Sequence, residues 1–170
     1  SLINTIDMKK ILLTSLLLFF GFCVSAQEKG QKYTSELGKF SMTSFGEVTE
    51  DVKKEKTSTI YRAAFRNKEM LFAISSSLQQ NKPKRAADLL NASVLNFKNG
   101  LKGTIVTQKK IKENKVKGIY ALLNLSNDVM VEYRVFSKGL YLYQVMSFAK
   151  KDKYKKDVAT AFFNSFAISK

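Results

Sequence analysis

Seven lysines crowd one stretch of this chain, Lys98, Lys102, Lys109, Lys110, Lys112, Lys115 and Lys117, with Glu113 the one acid among them. Clustered ammonium groups attract phosphate-bearing lipid, polysaccharide and other polyanions. On two paired strands Lys109, Lys110, Lys112, Lys115 and Lys117 gather at one hairpin tip, a candidate anion-binding surface. The alternative is that lysines on an edge strand keep sheets from adding to one another. A second constellation is Glu132 and Arg134, two residues apart and so on one face of a strand. Buried charges need partners. They form ion pairs under a long helix or with Arg62 across the sheet, or else the three residues line a cleft between helix and sheet. Tyr61, Tyr120, Tyr133, Tyr141 and Tyr143 supply aromatic walls to such a cleft, or pack as core at strand spacing. A third group, Glu47, Glu50, Asp51 and Glu55, fits no calcium-loop spacing. Lys53, Lys54 and Lys56 neutralise it, so it reads as a solvated connection.

What is missing narrows the chemistry further. The chain has no histidine, and its one cysteine, Cys23, falls in an N-terminal apolar run. Ser-His-Asp and Cys-His nucleophile systems and Cys/His zinc sites are therefore excluded. No nucleophile elbow, P-loop or dinucleotide fingerprint is present. The expectation is a protein that is not an enzyme, with no cofactor.

These residues must be positioned by strands and two helices. Val131, Tyr133 and Val135 alternate with Met130, Glu132, Arg134 and Phe136. After the turn at Lys138-Gly139, Leu140, Leu142, Met146 and Phe148 alternate with Tyr141, Tyr143 and Val145. Apolar residues on both sides of a strand imply a sheet covered on both faces. Tyr154, Val158, Ala161, Phe162 and Phe166 then recur at helical spacing and predict a helix that ends the chain. Upstream, 39–45, 57–66 and 69–78 alternate as strands. Asn67-Lys68 is a hairpin turn and 46–56 a charged loop. Ala86, Leu90, Val94, Phe97 and Leu101 predict one long helix over 84–101, begun after Pro83. Strands follow at 103–112 and 115–125. The order is β-β-β-α-β-β-β-β-α, an α+β domain with a mainly antiparallel sheet of six to seven strands sandwiched between helices.

The run Tyr133-Arg-Val-Phe136, Gly139-Leu-Tyr-Leu-Tyr143 and Phe162-Phe-Asn-Ser-Phe166 resembles the closing signature of the PsbP-like family, which includes bacterial secreted relatives of the photosystem II extrinsic protein. The resemblance covers about residues 38 to 169. It departs at Phe45-Gly-Glu-Val48, where relatives often carry a proline-containing strand end. It implies an antiparallel sheet between helices, a fold shared with a Ran-binding nuclear transport factor, and no shared catalytic residues.

The N-terminal run has its own meaning. Lys9 and Lys10, the apolar segment Ile11 to Phe22 and the small residues Val24-Ser25-Ala26 are the parts of a secretory signal peptide, cleaved between Ala26 and Gln27. The apolar segment falls short of the roughly 20 residues that span a bilayer, so the mature chain carries no transmembrane helix. The organisation is an upstream extension (1–7), signal peptide (8–26), flexible leader (27–36) and one α+β domain (37–170). The exported chain is periplasmic or extracellular.

Charge bounds the partners. Lys and Arg number 29 against 14 Asp and Glu, a net charge of +15. Arginine is confined to Arg62, Arg66, Arg85 and Arg134. Bidentate reading of bases prefers arginine, which with export argues against nucleic acid. The leading expectation is a secreted, non-enzymatic accessory domain that binds an unidentified envelope protein. One alternative is an anionic-lipid or polysaccharide binder working through the Lys-rich hairpin. Another is a small-molecule carrier with a cleft between long helix and sheet.

Overall fold

The computed structural model describes residues 30–169. The upstream extension, the signal peptide, its Ala26-Gln27 cleavage site and the first residues of the leader lie outside the described residues. No helix among the described residues is long and apolar enough to cross a membrane.

Alternation in the sequence becomes one antiparallel sheet of seven strands. These are β3 (Thr49–Lys54), β4 (Ser58–Asn67), β5 (Met70–Gln79), β6 (Thr104–Glu113), β7 (Val116–Asn124), β8 (Val129–Lys138) and β9 (Tyr141–Lys150), ordered β3-β4-β5-β9-β8-β7-β6. The expected α+β class and antiparallel sheet are thus present. Strand β8 lies inside the sheet between β9 and β7, so both its faces must be covered. On one face Val131, Tyr133 and Val135 meet Leu90, Val94 and Phe97 of the long helix α1 (Ala86–Leu101). On the other, Phe136, Tyr143 and Val145 meet Phe162, Phe163 and Phe166, contributed by the C-terminal helix α2 (Lys156–Ser165) and the residue after it.

Three differences from the sequence reading have physical causes. Gln31–Ser35, within the expected leader, is strand β1, and it pairs with β2 (Phe40–Ser44). The charged stretch read as a loop contains β3, an edge strand whose order comes from its ladder with β4 and not from apolar alternation. The chain does not end in helix: Ala167–Ile168 forms β10 against the far side of β2. The face of the large sheet that holds α2 is therefore shared with a small sheet, β1-β2-β10, which brings Phe40 and Met42 into the same core.

Turn chemistry follows the residue types only in part. Gly139 takes the expected positive φ, 63°. At the end of α1, however, Lys102 and not a glycine adopts the left-handed conformation, φ 53°, with its N–H and that of Gly103 donating to the last-turn carbonyls. The β6–β7 turn is made by Asn114 and Lys115, both at positive φ, as the commonest two-residue hairpin loop demands.

Candidate functional site

Hydrogen-bond register sorts the basic hairpin between the two faces of the sheet. Lys112 lies directly opposite Lys117, and Lys110 opposite Ile119, on the face covered elsewhere by α1. Lys109 lies opposite Tyr120 on the other face, its ammonium 5.1 Å from the Tyr120 ring centroid. Lys115 occupies the turn. All five lysines are exposed, and none is in an ion pair among the described residues. Like charges directly opposite across a ladder repel. Lys112 and Lys117 thus cost stability that a bound anion would return.

The second constellation divides. Opposed residues in a ladder share a face. The chain of registers Arg62, Ser75, Gln144, Val135 puts Arg62 on the α1 face. Glu132 and Arg134 project from β8 to the opposite face, toward α2. The expected grouping of the three residues in one cleft is therefore corrected, as is the location of the acid and base pair beneath the long helix. Arg62 pairs instead with Asp51 of the edge strand. The space between α1 and the sheet is filled: Phe97 stacks on Tyr133 with ring centroids 4.1 Å apart, and Leu90 and Val94 pack beside them. A ligand cleft at that place would need those side chains to move.

What Glu132 and Arg134 do form is a buried polar cluster with partners distant in sequence. Arg134 Nη1 donates to Glu113 Oε1 at 2.6 Å and Nη2 reaches Glu132 Oε1 at 3.4 Å. The hydroxyl of Tyr154, just before α2, donates to Glu132 Oε2 at 2.5 Å. The guanidinium carbon lies 4.3 Å from the Phe163 ring centroid, a cation–π contact that replaces water over its face. Each charge thus has an opposite charge or a hydrogen bond, and the cluster ties β6, β8 and the entry to α2 together. It is a structural clamp in which both carboxylates are already engaged.

Burial also marks the tyrosines. Tyr133 is fully buried, its hydroxyl donating to Gln144 Oε1 at 2.9 Å, and burial pushes its ionisation well above the usual tyrosine range. Tyr154 is raised by burial and then by its hydrogen bond to Glu132, and Tyr143 by burial and then by Tyr141. Burial and Glu50 push Tyr33 up to about 12. The folded values lie above the unfolded value near 10, so folding retains protons that the unfolded chain releases. The stabilisation is complete below about pH 10 and is lost as pH rises through the raised values. Urea midpoints should therefore fall from about pH 10 upward, with tyrosinate absorbance appearing together with unfolding. Full tyrosinate absorbance from a still folded chain would contradict this.

A shallow groove of about 220 Å³ lies between the two edge strands β1 and β3. Tyr33, Leu37, Val52, Tyr61 and Arg62 line it. Sequence reasoning missed it, because neither edge strand has the alternation that would reveal it. The one available signal was the tyrosine pair, Tyr33 and Tyr61, flanking the acidic stretch.

Comparison with known proteins agrees with the architecture. No family model matches the chain, and no curated protein matches it. Among solved structures, it is similar to the solution structure of cyanobacterial PsbP from Synechocystis. The TM-score is 0.61 at 11% identity, over 88% of this chain and 98% of that one. A crystal structure from Bacteroides thetaiotaomicron has a TM-score of 0.43 at 12% identity, over 83% of this chain and 49% of that chain. A Pseudomonas aeruginosa protein of unknown function, titled a putative regulator, has a TM-score of 0.43 at 9% identity, over 72% and 84%. The first of these shows the fold: this chain is PsbP-like in architecture.

Proposed function

On this PsbP-like fold we propose a non-catalytic accessory protein of the cell envelope, exported by its N-terminal signal and acting by docking on a negatively charged surface. The observation that carries the reading is the β6–β7 hairpin, where Lys112 faces Lys117 beside Lys115, all exposed and without carboxylate partners among the described residues. Inside the fold, by contrast, Arg134 is neutralised by Glu113 and Glu132. The positive excess is thus left on the surface, where a long-range field steers anionic partners. The chain from Gln27 to Lys170, containing every described element, should co-sediment with anionic vesicles and not with neutral ones, with an affinity that falls steeply with salt. Each lysine near such a surface contributes about 1 kcal/mol. Lys112→Glu with Lys115→Glu should therefore weaken binding by at least about thirtyfold. Binding indifferent to salt or to these changes would remove the reading.

A second reading takes an envelope protein as the partner. It is favoured by the groove between β1 and β3, two edge strands with one paired side each, where an extended peptide adds to a sheet edge. Recovery of a stable complex from envelope extract that is lost on Val52→Asp supports it, and recovery of the free chain alone counts against it.

A further inference from the structure

We infer that the anionic surface is a lipid bilayer, and that Leu37 and Leu140 enter its interface while the lysines around them hold anionic headgroups. This rests on the docking reading above and names its partner.

The inference comes from what the topology gathers at one end of the sheet. The β8–β9 turn carries Leu140, which is 40% exposed. Its carbonyl accepts from the N–H of Gln79 at 2.9 Å, so the end of β5 lies beside it. The next residue, Gln80, donates to Thr57 O, which brings in the β3–β4 turn. Gly118 lies opposite Phe136, so the β6–β7 tip stands beside the end of β8. From the other layer, Leu37 O accepts from the Tyr141 hydroxyl at 3.4 Å, which places the β1–β2 turn over the same end. Leu37 is 66% exposed, more than any other large apolar side chain among the described residues.

Two exposed leucines at turn tips thus share an end with Lys56, Lys82, Lys112, Lys115, Lys117 and Lys138, all exposed and none in an ion pair among the described residues. Of the carboxylates nearby, Glu55 pairs with Lys53, Asp88 with Arg85 and Glu113 with Arg134. Glu36, beside Leu37, is exposed and in no ion pair among the described residues, one free acid against six free lysines. The opposite end also carries exposed lysines in no ion pair among the described residues, Lys68, Lys102 and Lys150, beside the pairs of Lys151 with Asp128 and Lys153 with Glu69. The exposed leucines at its turn tips are therefore what set the first end apart. Lysines alone would serve any polyanion. Apolar tips among lysines match the two layers of a bilayer interface, acyl chain and charged headgroup, and a soluble polyanion has no use for the leucines.

The chain contains no tryptophan, so Leu37→Trp and Leu140→Trp each introduce a single reporter. Each variant of Gln27–Lys170 is mixed with phosphatidylcholine vesicles with and without phosphatidylglycerol, and with heparin. A third variant, Leu95→Trp, places the reporter on the exposed side of α1, where Leu95 is 53% exposed. The expected result is a blue shift, and quenching by brominated lipid, at positions 37 and 140 on phosphatidylglycerol vesicles only, with position 95 remaining water-like. Leu37→Asp with Leu140→Asp should reduce vesicle binding at least tenfold while leaving heparin retention unchanged. Vesicle binding with water-like emission at both turns overturns insertion and leaves electrostatic docking standing. Heparin retention without vesicle binding makes the partner a soluble polyanion and overturns the bilayer. Absence of binding to either overturns both readings.

Discussion

Replacing Arg134 with alanine should cost about 3 kcal/mol of stability, the lower end of the range for breaking a buried ion pair, because the side chain keeps some contact with water. It is 16% exposed, and its partner Glu132 is 11% exposed. Without the guanidinium, Glu132 retains the Tyr154 hydroxyl alone, and its charge sits between sheet and helix without a countercharge. Glu113 and Phe163 lose their contacts at the same time. Arg134→Lys should recover little, since one ammonium cannot bridge two carboxylates in a fixed fork and also stack on a ring. Arg134→Met with Glu132→Gln should be milder than either change alone suggests, because removing both charges removes the desolvation cost as well. Urea is the denaturant to use, since guanidinium salt screens the interaction under study. A loss below about 1 kcal/mol would class the cluster with ordinary surface pairs.

Phe162→Ala should be as damaging for a different reason, costing about 3–5 kcal/mol through lost burial and the cavity left behind. Phe162 is fully buried. Its ring centroid lies 4.8 Å from that of Phe72, 5.6 Å from Phe65 and 5.3 Å from Phe163. These neighbours belong to β5, β4 and α2, two strands of a sheet and the helix's own next residue, and none can close on the space without distorting a ladder. Phe162→Leu should lose less, since it keeps part of the volume. Leu95→Ala, on the exposed side of α1, should change stability by no more than about 0.5 kcal/mol. Equal effects at 162 and 95, by urea midpoint, would mean that α2 is not seated as described.

Both predictions concern the interior and the proposed docking surface is elsewhere, so stability and binding should separate. Lys112 and Lys115 can be reversed with the clamp intact, whereas Phe162→Leu should loosen the core without changing any charge. Vesicle binding measured on still-folded Phe162→Leu should therefore stay close to that of the parent chain.

The sequence by itself determined the large sheet, because apolar alternation on both sides of 129–148 can be satisfied only by covering both faces. It determined the two helices too, since the spacing of Leu90, Val94 and Phe97, and of Phe162 and Phe166, leaves one face of each to bury. Only the tertiary structure decided which face went to which helix. Alternation says that Glu132 and Arg134 share a side with Phe136 but carries no sign for the side, and both helices offer the same apolar chemistry. Edge strands β1 and β3 and the short β10 were equally illegible: their order comes from hydrogen bonds to a neighbour and not from a pattern of their own. The partners of Arg134, Glu113 and Tyr154 by way of Glu132, lie about twenty residues away along the chain. Leu37 and Tyr141, whose hydroxyl donates to the Leu37 carbonyl, are about a hundred apart. Such meetings are set by register and layer packing, which local propensity does not encode.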